Sequence, residues 1–208
     1  YIGKQTPYVL KKIKVLLKKN KSKVNYPDVW KLIKKGNHYF YHDKKTKIKL
    51  NTNNVHSKGM FENIGHAIKI ALDLKIGKKI IEKTLPTLTF PGRFNYLKNG
   101  KIKKMLHKNE TIMIDGAHAP TDAKNLYDYL KKLEFPKYGI WSMTKNKEPD
   151  LFIKELKNSF KKIFTVPIEN ENSSVTAKEL NTIAIKNKIN SEECRNVKEA
   201  LKKISNNE

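Results

Sequence analysis

The chain has 208 residues and a mass of 24.2 kDa, room for one full domain and part of a second, with 38% hydrophobic and 31% charged residues. That apolar content suits a folded core and excludes a charge-dominated disordered chain, while a single cysteine, Cys194, and no apolar run near 20 residues exclude a disulfide scaffold and a membrane span. The formal charge of +24 rests almost wholly on lysine, since Arg93 and Arg195 are the only arginines among 44 basic residues. Specific phosphate and base recognition favours the arginine fork, and these lysines are spread along the whole chain, so they read as a solvated surface without a nucleic-acid stripe.

In chain order, Val9, Leu10, Ile13, Leu16 and Leu17 predict an amphipathic helix over 6–19, with Pro7 in its first turn. The runs at 38–42 (HYFYH) and 46–50 (TKIKL), separated by a DKK turn, predict a hairpin in which Tyr39, Phe40 and Tyr41 pack a sheet rather than stack bases. Ile64, Ala67, Ile68, Ala71 and Leu72 predict a helix from Asn63 that stops near Gly77, with a shorter helix over 77–84 behind it. The segment LPTLTFPGRF carries two prolines and a glycine within ten residues, which places a domain boundary near residue 90.

Beyond it the rhythm changes. Strands are predicted at 111–114, 138–143 and 163–168. Helices are predicted by Ala123, Leu126, Tyr127, Leu130 and Leu133, with Thr121 and Asp122 marking the first turn, and over about 150–161, 176–187 and 196–204. Strand alternating with helix at this spacing predicts an α/β domain with a parallel sheet.

The segment Thr111–Leu133 (TIMIDGAHAPTDAKNLYDYLKKL) holds the most chemistry. An acid ending a buried strand would project with His118 into the crevice where open α/β sheets bind ligands. Asp115 could accept from ribose hydroxyls, and the loop amides and imidazole could face phosphate. In isolation, a D-G-x-H segment more often only caps a turn. Arg93, on the PGR turn, could equally reach a polyphosphate or pair with a surface acid. His38, His42, His56, His66 and His107 show no metal-ligand spacing, and Cys194 has no recognisable catalytic partner.

Taken together and in order, ENIGHAIKIAL, LPTLTFPGRFNYL and IMIDGAHAP resemble the C-terminal half of the folylpolyglutamate synthase and dihydrofolate synthase family, within the Mur ligase superfamily. The resemblance runs over almost the whole chain. The opening IGKQ is similar to the family segment that follows its catalytic lysine region, so the chain reads as beginning mid-protein. It implies that residues 1–90 are the distal part of a central ATPase domain of Mur-ligase type and 91–208 a Rossmann-like C-terminal glutamate ligase domain. It further implies ATP-dependent addition of glutamate to dihydropteroate or a folate through an acyl phosphate, in the cytoplasm. Asn63, Arg93 and Asp115 match ATP-contacting positions. His118 matches the loop histidine and takes the catalytic part, orienting the loop or meeting phosphate.

The sequence departs from the family pattern in places. The usual DGAHNP reads DGAHAP, so Ala119 offers no amide side chain, and the approach to Asn63 is shorter than usual. No G-x-x-x-x-G-K-[ST] phosphate loop is present. ATP and Mg2+ are therefore expected to be gripped by a separate N-terminal half carrying that loop and the metal ligands, in cis or in trans. The rival reading is a non-catalytic basic module, binding RNA on a remnant ligase fold.

Overall fold

The computed structural model describes residues 1–3, 5–21 and 29–205, which form two compact units, Tyr1–Thr89 and Phe90–Glu208. Lys4 of the opening IGKQ lies outside the described residues. Among the described residues no helix is long and apolar enough to cross a membrane.

The first unit begins with helix α1 (Pro7–Lys19), started by Thr6, whose hydroxyl accepts the Val9 N–H at 3.4 Å. Its apolar stripe follows the predicted spacing, yet none of its residues is buried. An antiparallel sheet follows in the order β1 (Trp30–Lys35), β2 (His38–Asp43), β3 (Lys47–Lys49). The predicted hairpin is its β2–β3 half. Asp43 closes that turn by accepting the N–H groups of Lys45 at 2.9 Å and Thr46 at 2.7 Å, together with the Tyr41 hydroxyl at 2.8 Å. Burial alone would raise the Asp43 carboxyl; these donors outweigh it and hold the group below its ordinary value. Tyr41 is fully buried opposite Ile48, and Tyr39 stacks on Phe61 with ring centres 4.1 Å apart, so these aromatics do pack a sheet.

Strand β1 escapes a sequence reading because lysines fill three of its six positions. Its anchor is Trp30, stacked on Tyr41 and set edge-on to His66. Helix α2 (Lys58–Asp73) accepts that ring at Gly65, where a Cβ would stand 2.3 Å from the indole. No side chain fits at 65 unless the tryptophan moves.

Both limits of α2 differ from expectation. Helix α2 starts five residues before Asn63, at a Ser57 cap that accepts the Met60 N–H at 3.3 Å. It ends at Asp73, and just beyond its Leu74 cap Lys75 adopts a left-handed φ of 62° while Ile76 N–H bonds the Ala71 carbonyl at 2.9 Å and Lys75 N–H the Leu72 carbonyl at 3.0 Å. A Schellman turn thus stops the helix without a glycine. Gly77 instead caps the start of α3 (Lys78–Thr84).

The second unit contains a two-stranded antiparallel pair, β4 (Asn95–Tyr96) with β5 (Met113–Ile114), followed by helix α4 (Pro120–Leu130). A parallel sheet then runs β6 (Tyr138–Trp141), β7 (Lys162–Thr165), β8 (Ser191–Glu193), interleaved with α5 (Pro149–Glu155) and α6 (Ala177–Lys186) and followed by α7 (Val197–Ser205). The mixed α/β architecture expected from the alternation is present. Phe164 and Val166 form a core with Cys194 and Ala200, packed by Tyr138, Ile140 and Ile204. Thr165 is fully buried and donates its hydroxyl to the Ala177 carbonyl at 2.8 Å, so β7 is covered by helix on both faces.

Strand β8 reads Ser-Glu-Glu and carries no apolar signal. Side-chain bonds hold it instead: Ser191 donates to the Asn181 side chain at 2.6 Å, and Lys162 and Lys203 each reach Glu192 at 2.5 Å. Those two ammonium groups hold the Glu192 carboxyl below its usual range. Helix α5 ends at Glu155, six residues before the predicted limit, and a left-handed Asn158 turns the chain toward β7. Cys194 is buried in the core, where desolvation pushes its thiol up, consistent with packing rather than reactivity.

Candidate functional site

Strands β4 and β5 are short, but their pairing of Asn95 with Ile114 and Tyr96 with Met113 brings the PGR turn beside the DGAH loop. Two glycines let the backbones meet. Gly92 has a φ of +70°, and its carbonyl accepts the Gly116 N–H at 2.6 Å; a Cβ at Gly116 would already stand 3.4 Å from that oxygen.

Asp115 completes the junction. Its Oδ2 accepts the Phe94 N–H at 2.8 Å, and its Oδ1 accepts the Ala117 N–H at 2.8 Å. Phe94 has a left-handed φ of 47°, unfavourable for a bulky residue, and is held there by this bond and by its buried ring set edge-on to Tyr129. The carboxylate side chain is only 6% exposed. Its first role is therefore structural, clamping two loops, and the turn-cap reading of D-G-x-H describes one of its two bonds.

Around this clamp lie three exposed or half-exposed groups. The Arg93 Nη1 stands 4.0 Å from Asp115 Oδ1 and 3.8 Å from Asp122 Oδ2, with the guanidinium side chain 40% exposed. The His118 Nδ1 lies 2.8 Å from the Gly116 carbonyl, which can only accept, so Nδ1 carries a proton and Nε2 is the nitrogen left for a ligand. A neutral His118 would accept at Nε2; only the imidazolium would donate there to a phosphate oxygen.

The structure brings Arg93, Asp115 and His118 together within the second unit. Asn63 belongs to the first unit, exposed on α2. Asp122, read from the sequence only as a helix-start residue, is the site member that spacing did not reveal. Its signal was its place in the first turn of a helix directly after the loop histidine.

The site's location corrects one expectation. Ile114 is 40% exposed, and β5 pairs antiparallel with β4, so Asp115 does not end a buried strand of the parallel sheet. The sheet β6–β7–β8 runs in simple order with no reversal at which a crevice would open. The loops after β6 and β7 also bond to one another: Thr144 bridges Ser174, Lys145 N–H meets the Ser173 carbonyl at 2.7 Å, and Val175 N–H meets the Met143 carbonyl at 2.9 Å.

Helix α4 starts at Ala119 with no side-chain cap, although Ala119 has the extended backbone of a capping residue. Ala119→Asn should let an amide oxygen accept the Thr121 or Asp122 N–H and stabilise the second unit by about 1 kcal/mol. A urea midpoint that does not rise in this variant would show that the position cannot use a cap. No three His, Cys, Asp or Glu side chains gather as metal ligands among the described residues.

No protein-family model and no curated protein matches the chain. Solved structures do. A Mycobacterium tuberculosis folylpolyglutamate synthase complexed with ADP superposes with a TM-score of 0.82 at 15% identity, covering 99% of this chain and 46% of its own. A folylpolyglutamate synthase from Thermotoga maritima gives 0.67 at 21% identity over 93% of this chain and 46% of its own. A bifunctional folylpolyglutamate synthase/dihydrofolate synthase from Yersinia pestis, complexed with AMPPNP and Mn ion, gives 0.72 at 15% identity over 93% and 44%. The chain thus spans under half the length of the solved chains it matches, and its fold is that of the C-terminal half of folylpolyglutamate synthase.

Proposed function

We propose that this chain is the C-terminal part of an ATP-dependent amide ligase that adds glutamate to dihydropteroate or a folate, acting with a half that carries the phosphate loop. The observation that carries the reading is Arg93: a half-exposed guanidinium fixed on a turn that Asp115 locks to the DGAH loop, in a fold whose solved examples include complexes with ADP and with AMPPNP. Residues 1–90 would be the distal part of the central ATPase domain and 91–208 the glutamate ligase domain.

In the parent reaction a substrate carboxylate oxygen attacks the γ-phosphorus of ATP and ADP leaves. The glutamate amine then attacks the acyl carbon, and phosphate departs from the tetrahedral intermediate. Arg93 would neutralise charge developing on the phosphoryl oxygens, and His118, as the imidazolium, would donate from Nε2 to a phosphate. Asn63 offers one donor and one acceptor for an adenine edge. Asp115 keeps acceptor capacity for a ribose hydroxyl beyond its two backbone bonds, though the clamp remains its main task. Divalent metal would come with the phosphate-loop half.

Arg93→Ala tests the reading in the enzyme reconstituted with that half. Loss of a charged hydrogen bond costs about 1.5–3 kcal/mol, so kcat/KM for ATP should fall roughly tenfold or more. The exposed Lys161, changed to Ala, is the control. Equal kinetics in the two variants would remove Arg93 from the nucleotide.

A further inference from the structure

Asp115 cannot by itself aim Arg93. Both its oxygens already accept backbone N–H bonds, its side chain is almost wholly buried, and its nearer oxygen stands 4.0 Å from Nη1. Asp122 differs on each count. Its side chain is 32% exposed, and its Oδ2 is 3.8 Å from Arg93 Nη1. The same oxygen accepts the His118 N–H at 3.5 Å and lies 4.0 Å from the ring Nδ1. One carboxylate oxygen is therefore shared by the PGR turn, the DGAH loop and the first turn of α4.

We propose that Asp122 is a positioning residue that orders the Arg93 guanidinium and the His118 loop together, so that both face one anionic ligand. A carboxylate in the first turn would also favour the helix dipole, a purely structural role that affects stability without touching Arg93. The two roles predict different variants. The proposal rests on the reading of Arg93 as nucleotide-facing only for the identity of the ligand; the ordering of Arg93 is a property of the chain itself.

The composition makes that ordering measurable. With Arg93 and Arg195 as the only arginines, the side-chain Nε–H region of an 15N spectrum holds two signals. Arg195, bonded through Nε to Glu199 at 2.9 Å, serves as an internal reference. In Asp122→Asn the heteronuclear NOE of the Arg93 Nε–H should fall toward that of a freely rotating side chain, with Arg195 unmoved. Asp122→Glu, which keeps the charge, should recover most of the loss. An Arg93 signal unchanged in Asp122→Asn, or equally changed with Arg195, overturns the proposal, including where only the melting temperature shifts.

ADP added to the wild-type chain reconstituted with the phosphate-loop half then separates the two claims. A shift of the Arg93 signal that weakens severalfold in affinity in Asp122→Asn supports both. Failure of ADP to move the Arg93 signal counts against the nucleotide reading, and leaves the ordering result to stand or fall on the ligand-free spectra.

Discussion

The chain alone is expected to release no phosphate from ATP above the buffer blank and to ligate no glutamate, and addition of the phosphate-loop half should restore both. Gripping the β- and γ-phosphates needs a nest of backbone N–H groups and a lysine at a helix start, and no G-x-x-x-x-G-K-[ST] segment supplies them here. Arg93 and His118 can add charge to a phosphate already held, but two groups on one loop pair cannot replace that cradle. The same experiment has a second readout. In α1, Tyr8 is 67%, Val15 65% and Leu16 60% exposed, on a helix with no buried residue. An amphipathic helix whose apolar face stays in water makes the isolated chain prone to self-association. Purification with the added half should cover this face and yield a defined complex that turns over ATP with dihydropteroate or tetrahydrofolate plus glutamate. Robust ligation by the chain alone would sink the half-enzyme reading, and a well-behaved monomer that ignores the added half would favour an independent module.

The second large effect concerns Asp115. From the sequence, Asp115→Ala should impair ligation while leaving the fold intact. The clamp geometry changes that expectation. Each of the two N–H bonds is made to a buried carboxylate, and bonds to charged groups are worth about 1.5–3 kcal/mol apiece. Asp115→Ala should therefore destabilise the second unit by about 3 kcal/mol or more, and lower its calorimetric melting temperature by roughly 10 °C. Amide exchange at Phe94 and Ala117 should accelerate with it. Arg93→Ala, which removes a half-exposed side chain whose distances to Asp122 and Asp115 are 3.8 and 4.0 Å, should leave melting within about 0.5 kcal/mol of the parent. Identical melting of the two variants would show that Asp115 holds no loops and would return it to a ligand-facing role alone. Asp115→Asn should fall between, since its amide still accepts one N–H bond but presents a donor to the other.

The two loops of the site were legible because their residue types have narrow uses. A Pro-Gly turn carrying one of two arginines, and a D-G-x-H loop before an apolar helical stripe, stand out against a lysine background. Their meeting was not legible. It depends on two-residue strands, and a pairing that short leaves no periodic trace in the sequence. Nor could spacing reveal that Asp115 faces the backbone of Phe94, twenty-one positions away, or that Asp122 stands between Arg93 and His118.

Helices α1, α3, α4, α6 and α7 were fixed by the sequence pattern because an apolar stripe with a period of 3.6 is a local property, as is a threonine or serine cap. Strands β6 and β7 followed from short apolar runs buried under helices on both faces. Tertiary contacts decided the rest. Lysine-rich β1 becomes a strand because Trp30 packs against α2 where Gly65 has no Cβ, and polar β8 because Lys162 and Lys203 neutralise Glu192 beside it. Side-chain chemistry across the fold, unlike hydrophobic period along the chain, exists only once the chain has folded.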